Sequence, residues 1–218
     1  MNITYAITVH NEPVEIERLL THILEYKREQ DDIVILDDYS TEETLRVLEL
    51  FRESIVVHSH SLNKDFGTHK NVLISKCEGD FIFNIDADEI PHIQLLLDLP
   101  SIIEENSNND LIRVPRINIV TGMSAEKMKD WGWSVNEAGW ANYPDWQSRI
   151  FKNTPSIKYQ GAVHETLTGY SSAAHLEPVQ EMSLYHIKTW EKQEECTKLY
   201  ATIAPETVPP EFRNGDSP

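Results

Sequence analysis

Apolar runs and amphipathic stripes alternate along the first half of the chain, and that alternation predicts a parallel sheet covered by helices. Residues 3–9 read as a first strand, and 33–36 are a continuous apolar run of the kind buried on both faces of such a sheet. Between them, residues 13–27 place Ile16, Leu19, Leu20, Ile23 and Leu24 on one stripe, with Pro13 pre-set for the first helical turn. Ser40 followed by Glu43 is a capping-box pattern, and Leu45, Leu48 and Phe51 form the core stripe of the helix it opens. A strand over 54–58, a loop over 61–68, a helix over about 69–76 stopped by Gly79 and a strand over 81–85 continue the βαβ order.

Beyond Pro91 the pattern is less regular. An apolar helix is interrupted at Pro100, a polar loop covers 104–110, and a strand resumes over 111–120. Trp131, Trp133, Trp140 and Trp146 fall in one Gly- and Asn-containing stretch, which either covers the core or receives a ligand. Residues 148–152 and 157–159 predict short strands, 190–204 a helix, and 205–218 a polar, Pro-bearing tail. No internal repeat is present, and the length suits a single domain over 1–204.

Charge narrows the function classes. The chain carries 36 acidic against 19 basic residues, a formal charge of −17, which opposes nonspecific binding to nucleic acid or to an anionic lipid surface. A phosphorylated ligand can bind only where a metal ion, Lys, Arg or backbone N–H groups locally reverse that field. Cys77 and Cys196 have no metal-ligand spacing, and reduced thiols are expected. Residues 1–10 lack a basic, then apolar leader pattern and no long apolar run follows, so the expectation is a cytoplasmic chain without a transmembrane segment.

The run over 81–91 carries the chemistry. An apolar strand ends in Asp86, Asp88 and Glu89, the way a sheet delivers a divalent cation to its edge. The plain alternative is an acidic strand end in an acidic protein. Oxygen ligands point to Mg²⁺ or Mn²⁺ shared with the phosphates of a substrate. In open α/β sheets ligands bind beyond the carboxyl ends of the strands, where Asn11, Asp37, Asp38, Asp86 and Asp88 would gather. No G-x-G-x-x-G follows the first strand, which argues against a dinucleotide oxidoreductase.

Taken in order, Asn11-Glu12, Asp37-Asp38 with Ser40-Thr41, the loop from Asn63 to Gly67 with Lys70-Asn71, Gly79-Asp80 and Asp86-Ala-Asp88-Glu89 resemble the family 2 glycosyltransferases of the GT-A fold. The later segments 143–152 and 161–165 are similar to the branch containing the lipopolysaccharide-core β-1,4-glucosyltransferases and related bacterial and phage enzymes. The resemblance covers about residues 4–167. It implies a mostly parallel, Rossmann-like sheet flanked by helices, a donor half over about 1–111 and an acceptor half over about 112–204. It implies inverting transfer of a sugar from a nucleotide-diphosphate donor to a carbohydrate or glycolipid hydroxyl, with peripheral membrane contact for a lipid-linked acceptor.

The same resemblance assigns Asp88 to the metal, Asp86 to the donor's ribose or sugar and to the metal's surroundings, and Asp38, with Asp37 beside it, to the nucleobase. Asn11, Glu12 and Lys70 join the donor site, Lys70 pairing either with a phosphate or with an acid. Arg149 pairs with a site acid or extends outward. The base that takes the acceptor's proton is Glu165 or Asp145, with Glu165 favoured through its His-Glu element. His164 is the candidate third metal ligand and His186 its competitor. Trp146, Trp133 and Tyr143, with Trp131, offer ring faces to an acceptor sugar or pack over the core. A sugar-nucleotidyltransferase is the rival enzyme, although residues 10–13 lack its Gly-rich basic loop, and a non-catalytic nucleotide- or carbohydrate-binding module is the rival without turnover.

Overall fold

The computed structural model describes residues 1–209 and Phe212. The first half runs β1 (Ile3–Val9), α1 (Pro13–Tyr26), β2 (Asp32–Asp37), α2 (Glu42–Leu50), β3 (Val56–Ser59), α3 (Phe66–Ile74) and β4 (Phe81–Asp86). Then come β5 (Glu89–Pro91), α4 (Ile93–Glu105), β6 (Leu111–Thr121), α5 (Ala125–Asp130), β7 (Ala141–Lys152), β8 (Lys158–Gln160), β9 (Thr166–Thr168), β10 (Ala173–His175), β11 (Leu184–Thr189) and α6 (Trp190–Ile203).

One sheet runs in the order β3-β2-β1-β4-β7-β6-β11-β5, with β10 also paired to β6, while β8 and β9 form a separate ribbon. Strands β3, β2, β1 and β4 are parallel, β7 is antiparallel to both β4 and β6, and β10 and β11 run parallel to β6. β1 pairs β2 on one side and β4 on the other, so the strand order reverses there and opens a crevice beyond the carboxyl ends. Tyr5, Ile7, Ile35, Phe83 and Ile85 are fully or almost fully buried, as their uninterrupted apolar runs require. Among the described residues no helix is long and apolar enough to cross a membrane.

Three local expectations are corrected. The helix after Pro91 is continuous through Pro100. An interior proline costs about 3 kcal/mol, but burying Leu95, Leu96, Leu99, Ile102 and Ile103 stabilises the helix by roughly 1.5–3 kcal/mol each. Ser40 does not cap α2, because its Oγ accepts from the Asn11 N–H at 3.0 Å, and the helix begins after Thr41 without a side-chain cap. Leu45 is exposed, whereas Thr44 and Leu48 face the core. Of the expected tail, Pro205–Thr207 form a 3-10 turn and residues 210, 211 and 213–218 lie outside the described residues.

Candidate active site

The register of the parallel strands sets Asp86 level with Thr8, and Asp37 level with Val9, at the carboxyl edge. The two neighbouring aspartates then divide. Asp37 is buried and accepts from the Ser40 N–H at 3.1 Å, so it shapes the turn after β2. Asp38 accepts from the Leu62 N–H at 2.8 Å and lines a cavity of about 350 Å³ together with Glu12, His69, Asp86, Asp88 and Glu165. Asn11, at φ +55°, ties two turns together through Thr41 N–H (2.8 Å) and His10 Nε2 (2.9 Å).

A chain of alternating charges crosses the site: Glu165, Lys70, Asp86, Arg149, Glu89, Arg116 and Asp145. Lys70 Nζ lies 2.8 Å from Glu165 and 3.0 Å from Asp86. Arg149 Nη2 bridges Asp86 and the fully buried Glu89, each at 2.5 Å, and Arg116 joins Glu89 (2.9 Å) to Asp145 (2.7 Å). Lys70 and Arg149 are therefore committed to site acids. Burial opposes charge on Asp86, but the Arg149 and Lys70 cations override it and hold the carboxyl well below the usual carboxylate range. For Lys70 the same burial is overcome by Asp86 and Glu165, which raise its affinity for the proton.

The two candidate bases are the ends of this chain and differ in how tightly they are held. Asp145 accepts from Arg116, Asn118 (2.8 Å) and Gln147 (2.8 Å), and these groups depress its proton affinity against the effect of burial. Glu165 pairs with Lys70 alone among the described residues.

Glu165 reaches this position because α3 docks on its loop. Phe66 N–H bonds Ala162 O at 2.9 Å and Gly67 N–H bonds Gly161 O at 3.2 Å. A Cβ on Gly67 would stand 2.6 Å from that carbonyl, so only glycine permits the approach. Asn71 clips β8 by exchanging two bonds with the Tyr159 backbone, at 2.8 and 2.9 Å. Tyr159, with its hydroxyl on Asn84 and its ring beside Lys70, is buried and its pKa is pushed up to about 12.

Asp88 faces His186 rather than His164. His186 Nε2 lies 3.2 Å from Asp88 Oδ2, while His164 packs its ring against Tyr200 at 5.4 Å between centroids. Pairing of β11 with β6 sets His186 beside Asn118, whose Nδ2 donates to Asp145. Asn118 Oδ1 therefore faces His186 Nδ1 at 2.8 Å and requires the proton there. That leaves the Nε2 lone pair turned towards a carboxylate, an arrangement balanced by a second proton or by a shared cation.

This donor set fits a divalent ion. One carboxylate and one correctly tautomerised imidazole make an open site that substrate phosphates can complete. Among the described residues no group of three or more His, Cys, Asp or Glu forms a closed cage. Burial opposes ionisation of Asp88, yet with no cation shared, a His186 that also carries the Nε2 proton, together with Lys192, holds it well below the usual range. Lys192 reaches Glu12 at 2.5 Å and Asp88 at 3.7 Å. Glu12 is itself raised to about 7 by burial and the Asp88 charge, against the opposing Lys192.

A second cavity, of about 430 Å³, shares Lys70, Asp86, Arg116, His164, Glu165 and Tyr200 with the first and adds Asp145, Trp146 and Gln147. Trp133 lines, with Trp131, an adjoining space that shares His164 and Tyr200 with both cavities, and Tyr143 packs on Trp140 with its hydroxyl 3.4 Å from Ser183 Oγ. Sequence reasoning missed Arg116, Asn118, Lys188, Lys192 and Tyr200. Arg116 and Asn118, polar positions on a β6 that also carries Arg113, were the available signal.

The profile of the family described as glycosyl transferase family 2 matches residues 4–163. The chain is 24% identical over 193 residues to the SPbeta prophage-derived glycosyltransferase SunS of Bacillus subtilis, covering 84% of this chain and 39% of that protein. It is 27% identical over 105 residues to the poly(ribitol-phosphate) beta-N-acetylglucosaminyltransferase TarS of Staphylococcus aureus, covering 44% of this chain and 18% of that protein. The chain thus spans well under half the length of these curated relatives. Among solved structures, S. aureus TarS 1–349 in complex with UDP-GlcNAc superposes with a TM-score of 0.62 at 17% identity, over 93% of this chain and 66% of that one. Mannosyltransferase PcManGT from Pyrobaculum calidifontis, in complex with GDP-Man and Mn²⁺, gives 0.57 at 15% identity, over 99% and 65%. With the family profile covering well over half its length and its sheet shared with these structures, the chain belongs to glycosyl transferase family 2 and has the GT-A fold.

Proposed function

We propose that this chain is a metal-dependent, inverting glycosyltransferase that moves a sugar from a nucleoside-diphosphate donor to a hydroxyl of a glycan or glycolipid. One observation carries the reading: Lys70, Asp86 and Glu165 line both cavities, so a donor in one and an acceptor in the other meet at these residues. The UDP-GlcNAc in the TarS structure, and the GDP-Man and Mn²⁺ in the mannosyltransferase structure, support the same substrate class.

Asp38, held through Oδ1 by Leu62 N–H and with Oδ2 3.5 Å from His10 Nδ1, binds the nucleobase. Asp86, immobilised by Arg149 and Lys70, faces the ribose or the sugar. Asp88 and His186 would hold Mn²⁺ or Mg²⁺, and a bound ion would supply positive charge to the diphosphate leaving group. Glu165 takes the proton of the acceptor hydroxyl while Lys70 fixes its orientation. Asp145, held by several N–H donors, is the weaker proton acceptor and orients Arg116. Trp146 offers its ring face to the acceptor sugar. A single displacement with base and leaving group on opposite faces inverts the anomeric carbon. Residues 1–204 act as one domain, the second half closing the donor cavity as well as building the acceptor cavity.

The test is incubation with UDP-, GDP-, CMP- and dTDP-linked sugars, with Mn²⁺ or with EDTA, following nucleotide release and the anomeric signal of the product by NMR. Metal-dependent consumption of one donor with inverted configuration is expected. Retained configuration, or full turnover in EDTA, would contradict the mechanism.

A further inference from the structure

Lys188 lies two residues after His186 on β11, so both side chains project from one face of that strand, and both line the first cavity. The other Lys and Arg side chains lining that cavity are occupied: Lys70 by Asp86 and Glu165, Arg116 by Glu89 and Asp145. Among the described residues the Lys188 ammonium has no carboxylate within ion-pair distance and donates no hydrogen bond. A half-buried ammonium turned to a cavity and lacking a counter-ion is poorly stabilised until an anion arrives.

We propose that Lys188 binds the diphosphate of the nucleotide donor, beside the phosphate oxygens that face Asp88 and His186. The inference rests on the reading of the first cavity as the donor site. In a chain of net charge −17 it supplies the local positive charge that an incoming diphosphate needs. Lys192, the nearest alternative, is occupied by Glu12 at 2.5 Å and Glu15 at 3.4 Å.

The experiment is isothermal titration of the whole chain with UDP, GDP, CDP and dTDP, then of the bound base's nucleoside, each in EDTA and in Mn²⁺. Lys188→Met should weaken the diphosphate by about 10- to 100-fold, the scale of one charge-assisted hydrogen bond, and leave the nucleoside unchanged. The loss should persist in EDTA, because an ammonium acts without the metal, and Lys188→Arg should recover most of it. Lys158→Met removes an exposed charge on β8 and should change nothing. Equal weakening by Lys158→Met, unaltered diphosphate affinity in Lys188→Met, or equal loss of the nucleoside would overturn the proposal. Lys188→Gln carries the same comparison if the Met variant does not fold. A wild-type chain that binds none of the four diphosphates would overturn the donor-site reading and this inference with it, whereas normal wild-type binding with an unaffected Lys188→Met removes this inference alone.

Discussion

Replacing Arg149 by Met should destabilise the fold by about 3 kcal/mol, through charges left behind rather than through lost packing. Arg149 is buried and its Nη2 lies 2.5 Å from both Asp86 and Glu89, the latter fully excluded from solvent. Removing one partner of a buried ion pair costs about 3–5 kcal/mol. The lower end applies here, because Lys70 still holds Asp86 and Arg116 still holds Glu89. At about 2–4 °C per kcal/mol for a chain of this size, the midpoint of thermal unfolding should fall by roughly 6–12 °C. Urea unfolding at pH 7 in EDTA measures the free energy directly. Adding Glu89→Met removes the buried carboxylate left with Arg116 alone, so the double variant should recover about 1–3 kcal/mol relative to the sum of the singles. A single variant within 1 kcal/mol of wild type, or strictly additive costs, would refute the charge-chain reasoning.

Three further outcomes follow from the site. Glu165→Gln should keep donor affinity and lose transfer by ~10²-fold or more, the usual contribution of a positioned base; full activity there, with loss in Asp145→Asn, would reassign the base. Glu12 has its folded-state pKa raised to about 7, so its contribution to stability is complete below its unfolded value near 4.5 and is lost as pH rises towards 7. Glu12→Gln should flatten that part of the stability profile by up to about 3 kcal/mol, read by urea unfolding in EDTA from pH 4 to 8, and an unchanged slope would count against the Asp88–Glu12 coupling. Trp146→Ala should raise the acceptor KM more than the donor KM; a global loss of folding would instead make its contact with the His175 ring, 4.8 Å between centroids, structural.

The first half of the fold was legible because parallel strands buried on both faces leave apolar runs, and their helices leave stripes, that need no distant partner to be read. Asp38, Asp86 and Asp88 could be gathered at one edge from that order alone. The proposed metal pair was not: Asp88 and His186 are 98 residues apart, and the antiparallel pairing of β11 with β5, which sets His186 opposite Glu89, brings them together. His164 had the more suggestive neighbour in sequence, Glu165, but its ring lies against Tyr200. Lys188 gave no signal, because a lone Lys near a strand end is usually solvated. Pro100 was misleading for the opposite reason, since tertiary burial of α4 outweighs a local penalty.

The most direct measurement is the thermal shift of the wild type and Asp88→Asn with UDP, GDP, CDP and dTDP, each with Mn²⁺ and with EDTA. Binding that favours only the folded state stabilises it by about 2.7 kcal/mol at a hundredfold excess over Kd. One nucleotide should raise the wild-type midpoint in Mn²⁺ well beyond EDTA, with that metal-dependent gain absent in Asp88→Asn. No rise with any nucleotide, or the same metal-dependent rise in Asp88→Asn, would contradict a donor site built on Asp88 and His186.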